Sequence, residues 1–156
     1  MSAGGGEIAG RRVDRGPGHA TVARISLWLL AAEAAAVGVP AQLAPRAFYD
    51  SFPVGASWVD MLPPYNEHFV NDVAGFYVAF ALLFAWAAVT LRRELVVPLC
   101  AAWGVAALLH FVYHVTHLDG WDAADAVAQT VALALVLALP VIAAVAAPRH
   151  PDRSNR

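Results

Sequence analysis

Val96–Thr116 reads VVPLCAAWGVAALLHFVYHVT. More than twenty consecutive residues here carry no Asp, Glu, Arg or Lys. A helix that crosses a bilayer needs roughly 20 mainly apolar residues. Inside hydrocarbon each backbone amide must be paired within its own segment, so such a stretch is a helix. It also holds His110 and His114, and His117 follows it directly. The spacing is i, i+4, i+7, and at about 100° per residue the three imidazoles fall within a sector of roughly 60°. One face of one predicted helix therefore carries three potential metal ligands or proton carriers at one end.

Three further stretches have the same character. They are Thr21–Val39 (TVARISLWLLAAEAAAVGV), about Glu67 to Leu91, and about Ala123 to Ala147, and the histidine-bearing span itself runs from about Leu95 to Thr116. The expected fold class is all-α, a membrane four-helix bundle, with a long aromatic loop between the first two membrane helices. Residues 1–20, rich in glycine and arginine, read as a disordered tail, 21–147 as the transmembrane domain and 148–156 as a second tail. Pro98 is expected in the first turn of the third span, where its missing N–H costs little. Pro140 is expected to kink the fourth. The first span is read as retained rather than cleaved, because Glu33 interrupts its apolar stretch and Pro45 follows the small residues after it.

Composition agrees with membrane residence. The chain has 156 residues, of which 60% are hydrophobic and 14% charged. Soluble domains average about 45–50% and about 25%. Mean hydropathy is +0.57. A disordered chain and a nucleic-acid binder with a basic face are excluded. A single cysteine, Cys100, excludes an internal disulfide and any multi-cysteine metal site. All ten basic residues are arginine, so no lysine is present to form a Schiff base. No nucleophile elbow, phosphate loop or dinucleotide fingerprint appears.

Charge placement sets the expected orientation. Arg11, Arg12, Arg15 and Arg24 precede or begin the first span. Arg92 and Arg93 separate the second from the third, and Arg149, Arg153 and Arg156 follow the fourth. Only Arg46 falls on the other side. The positive-inside rule then places both termini in the cytoplasm.

The side opposite the arginines collects the chemistry. Asp50, Asp60, Glu67, Asp72, Asp119, Asp122 and Asp125 lie there, with His68, His110, His114 and His117. His68 and Asp72 are i, i+4 on the second span, and so are Glu67 and Asn71. Gln129 and Asp125 repeat the spacing on the fourth, and Glu33 adds an acid to the first. Ionisable groups at membrane depth are costly and normally face the bundle interior. A polar pocket shared by four helices is the economical expectation. His68, Asp72, His110, His114 and His117 are its candidate ligands for Zn²⁺, Fe²⁺ or Mn²⁺, because imidazole and carboxylate together suit these ions. Glu67 or Asp72 is the candidate base for a metal-activated water. Two other readings use the same residues. In one, the cluster is a hydrogen-bonded packing element of a non-catalytic membrane subunit or homo-oligomer, with Asp122, Asp125 and Glu67 favouring helix N-termini. In the other, His68 faces His110 or His114 across a haem b, an arrangement that the clustered acids disfavour.

The loop before the second span carries Phe48, Tyr49, Phe52, Trp58 and Tyr65, aromatics that favour a membrane–water interface. A short surface helix or a re-entrant turn is expected there, serving as an interfacial anchor or as a lid over the pocket. Trp58–Gly75, WVDMLPPYNEHFVNDVAG, resembles a group of small actinobacterial integral membrane proteins with four predicted helices and no assigned activity. Pro64–Asp72, P-Y-N-E-H-x-x-x-D, is its most distinctive part. In span count over about residues 20–147 the chain is also similar to DoxX-like four-helix proteins. The resemblance implies a bacterial plasma membrane and a helical bundle, and no mechanism.

Overall fold

The computed structural model describes residues 17–61 and 64–149; of the expected tails, 1–16 and 150–156 lie outside the described residues, and 17–20 is helical rather than disordered. Five helices follow in order: α1 (Pro17–Leu43), α2 (Pro45–Ser51), α3 (Glu67–Thr90), α4 (Arg93–Thr116) and α5 (Ala123–Ala146). No strand occurs among the described residues. α1, α3, α4 and α5 are each long and apolar enough to cross a membrane. Large apolar side chains such as Ile25, Trp28, Phe76, Trp86, Leu109 and Leu135 point outward. A soluble bundle would bury them, and a bilayer explains them. The protein is a multi-pass helical membrane protein.

Local chemistry sets the helix ends. Asn66 caps α3 by accepting from Phe69 N–H at 3.1 Å. Asp122 caps α5, its Oδ1 accepting from Ala124 N–H at 2.8 Å and Asp125 N–H at 3.1 Å. Leu91 closes α3 in the left-handed conformation, φ 48°. α1 begins at Pro17, four residues before the apolar stretch that marks it in the sequence. Hydropathy detects apolar side chains and is blind to a helix already running through Gly18 and His19. The same blindness misplaces Pro98. α4 starts at Arg93, so Pro98 lies past the first turn and removes one backbone hydrogen bond, as Pro40 and Pro140 do in α1 and α5.

Spatial order is not chain order. α1 packs against both α3 and α5, and α4 packs chiefly on α5. The α1–α3 contact is close because the facing residues are small. A Cβ at Gly38 would stand 2.8 Å from Tyr77 Cβ, 2.9 Å from Val78 N and 3.1 Å from Ala74 O. Ala34 and Gly38, four apart, let the two backbones meet, the usual device where lipid removes the hydrophobic drive and packing must hold helices together. α3 and α4 are consecutive yet their backbones stand apart, bridged by rings. Trp103 of α4 meets Tyr77, Phe80 and Phe84 of α3 at centroid distances of 5.3, 4.9 and 5.4 Å. Phe84, Leu27, Leu30 and Val96 are fully buried in the same core.

The two ends of the bundle differ in composition. At the arginine end, Arg24 Nε donates to Ala88 O at 3.2 Å, and Arg93 Nη1 donates to Ala147 O at 2.9 Å and Ala144 O at 3.3 Å. These guanidinium groups satisfy the last carbonyls of α3 and α5. The other end, where α1, α4 and the starts of α3 and α5 meet the long loop, is the histidine end.

Candidate functional site

The loop at the histidine end contains the expected short helix, α2, and is tied down by aromatic contacts. Tyr49 and Tyr65 rings meet at 5.3 Å, and Trp58 meets Trp121 of the α4–α5 turn at 6.2 Å. Arg46 pairs with Asp50 at 2.8 Å and lies over the Tyr65 ring at 5.0 Å. Trp58 is thereby tied to the α4–α5 turn, and Tyr65 to α2. That Asp50 bond also raises the Arg46 guanidinium pKa above its usual value.

The histidines separate into two groups. His68 Nε2 stands 3.3 Å from Asp72 Oδ2 along α3, with the two side chains 89% and 57% exposed. Among the described residues no hydrogen bond or ion pair joins them to α4. Glu67 is also exposed, and its backbone carbonyl accepts from Asn71 Nδ2 at 3.0 Å. Asn71 in turn accepts from Gln42 Nε2 at 2.9 Å, which links α3 to α1.

On α4 the rings of His110 and His114 meet edge to face, 4.4 Å between centroids and 73° between planes. His110 is exposed, whereas His114 keeps only 7% of its surface. Gln129 of α5 keeps 3% and lies within hydrogen-bonding reach of His114. Helix α5 thus brings its own polar residue to the buried side of the imidazole pair. His114 Nδ1 and Gln129 Oε1 are both fully buried without a hydrogen-bond partner. Most buried polar groups are paired, so two open ones on facing helices require an explanation.

His117 lies outside this pair. Its ring stacks on Tyr113 at 4.2 Å, and its Nδ1 stands 2.8 Å from the Tyr113 carbonyl oxygen and 3.1 Å from Thr116 Oγ1. Asp122 is engaged as the cap of α5. The Asp125 and Ala124 amides hold its carboxyl below the usual range. Asp125 sits in the first turn of the same helix. Among the described residues no three His, Cys, Asp or Glu side chains are grouped to share one ion. The structure therefore joins His68 to Asp72, and His110 to His114 with Gln129, as two separate groups.

Deeper in the bundle lies a second tier. Glu33 of α1 is half-buried, with Oε2 buried and without a hydrogen-bond partner. Trp103, only 5% exposed, buries Nε1 without a partner. Sequence reasoning singled out Glu33. Comparison of the chain with protein-family models, with curated proteins and with solved structures finds no match.

Proposed function

We propose that the protein is a bacterial plasma-membrane protein with both termini cytoplasmic, whose activity resides in an outward-facing site for a divalent transition metal at His110, His114 and Gln129. The observation that carries this reading is the buried pair of polar atoms, His114 Nδ1 and Gln129 Oε1, neither with a hydrogen bond of good geometry, beside the His110 ring. Two imidazoles four residues apart on a helix can clasp one ion, and an amide oxygen can supply a third donor. Zn²⁺, Fe²⁺ and Mn²⁺ fit that donor set better than Cu⁺, which prefers sulfur. Exposed His110 gives the entry side. A three-donor site leaves room for a bound water, whose pKa such an ion lowers. In this reading Glu67 and Asp72 are surface acids and hold no ion, and His117 is a neighbour of the site.

A second reading has a specific observation behind it. The Gln42–Asn71 bond and the Asp122 cap show polar residues of the histidine end acting as architecture. A packing role for His114 and Gln129 follows the same pattern. Zn²⁺ titration of the purified full chain in detergent separates the two. The metal reading expects saturable binding near one ion per chain, lost in His114→Ala and retained in the double variant His68→Ala/Asp72→Asn. Absence of saturable binding in the unaltered protein, or equal binding by His114→Ala, favours the packing role.

A further inference from the structure

We infer that the groove between α1 and α5 at the arginine end holds one anionic phospholipid, an acyl chain against the two helices and the phosphate at a basic rim made by His19 and Arg149. The groove has a volume of about 630 Å³ and is lined by Gly18, His19 and Val22 of α1 and Val141, Ile142 and Val145 of α5. Sites for small molecules usually run from about 300 to 1,000 Å³. A Cβ at Gly18 would meet nothing within 4 Å, so the missing side chain leaves the groove open. Both helices are long and apolar enough to cross a membrane, and Val22, Val141, Ile142 and Val145 are exposed. The groove therefore opens toward lipid. Below it the same helix faces carry exposed Ile25 and Leu29, three and seven residues after Val22, and exposed Leu135, seven before Ile142. An acyl chain seated in the groove thus continues along an apolar track toward the middle of the bilayer.

The rim selects the headgroup. His19 is exposed at the mouth, and exposed Arg149 follows the lining residue Ala146 by three positions, a reach of at most about 10 Å. Neither makes a hydrogen bond or ion pair among the described residues, whereas Arg24 and Arg93 are engaged by backbone carbonyls. Among the described residues this end holds Arg24, Arg92, Arg93 and Arg149 against one acid, Glu94. A phosphate meets complementary charge here, and basic pockets between membrane helices suit anionic headgroups. A second apolar groove, at the histidine end, supplies the contrast. It measures about 210 Å³ and is lined by Leu118, Ala126, Val127, Thr130 and Val131. Asp119 and Asp125 directly adjoin its lining residues in the chain, so its charge repels a phosphate. Orientation in the membrane requires the arginines but no groove between them. The groove is what distinguishes a lipid site from an orientation signal, and it stands apart from the metal site at the other end.

Lipid retention tests this. The full chain is taken into detergent from vesicles of equal parts phosphatidylglycerol and phosphatidylcholine with identical acyl chains, and retained lipid is counted by native mass spectrometry. The inference expects one lipid per chain, with phosphatidylglycerol favoured about fivefold or more. Gly18→Leu puts a side chain into the groove, at a position where leucine suits a helix better than glycine, and should abolish retention. The double variant His19→Gln/Arg149→Gln should keep a lipid and lose the preference. Val127→Leu, at the smaller groove, should change neither. Phosphatidylglycerol with a diazirine on its acyl chain, photolysed in vesicles with the unaltered chain, should label Val141, Ile142 or Val145, which keeps the test valid if Gly18→Leu does not fold. Equal retention of the two lipids, full retention by Gly18→Leu, a lipid-free dimer, or label spread evenly over the four membrane helices overturns the inference.

Discussion

At the arginine end of the bundle, Arg24 and Arg93 direct their guanidinium N–H groups to the last carbonyls of α3 and α5. At the histidine end, His114 and Gln129 bury an imidazole nitrogen and an amide oxygen that lie near each other without a well-formed hydrogen bond. The same fold thus treats polar groups in opposite ways. Where they are satisfied, they complete helices and hold the architecture. Where they are left open, the cost is tolerated in the folded state, and an unpaired buried group in a native protein calls for a ligand, a proton or a partner.

The contrast can be broken by mutation. The largest effect is expected at the open end. His114→Ala should lower Zn²⁺ affinity about 100-fold or more while leaving the melting temperature of the metal-free protein nearly unchanged, as read by titration and thermal unfolding. Lowering the pH should weaken the same binding, because only neutral imidazole ligates and protons compete with the ion. Gly38→Ala places a methyl group against the Tyr77 Cβ and the Val78 backbone, neither of which is a flexible end. It should cost about 1–3 kcal/mol in unfolding measurements without altering metal affinity. At the satisfied end, Arg93→Gln removes the charged donor to Ala144 and Ala147 and should cost about 1–2 kcal/mol, again with affinity unchanged.

The smallest effect is the acid sensitivity of the α5 cap. The Asp122 carboxyl is held below its unfolded value by the Asp125 and Ala124 amides. Its contribution is therefore complete above the unfolded pKa of about 3.9 and is lost as pH falls through the lower folded value. Amide exchange at Ala124 and Asp125 should quicken in that window. Asp122→Asn should abolish the dependence while keeping a cap.

The four membrane helices were legible because length and apolarity alone decide a span. Their starts were less so, since Pro17 to Ala20 and Arg93 to Glu94 are helical without being apolar. Spacing within one helix also read well. His68 with Asp72 and His110 with His114 are both close along their own helices. What spacing cannot supply is which helix stands opposite. α3 and α4 are consecutive and joined by a two-residue link, which makes a shared His68–His110 pocket the natural expectation. Bulky Tyr77, Phe80, Phe84 and Trp103 instead hold their backbones apart, while α4 packs on α5 and meets Gln129.

X-ray absorption at the zinc edge, on protein loaded with one Zn²⁺ per chain, tests the central claim most directly. The account predicts two imidazole nitrogens at about 2.0–2.1 Å, with light oxygen donors completing the shell, and loss of one imidazole contribution in His114→Ala. A shell without imidazole scattering, or one unchanged by His114→Ala, would contradict it.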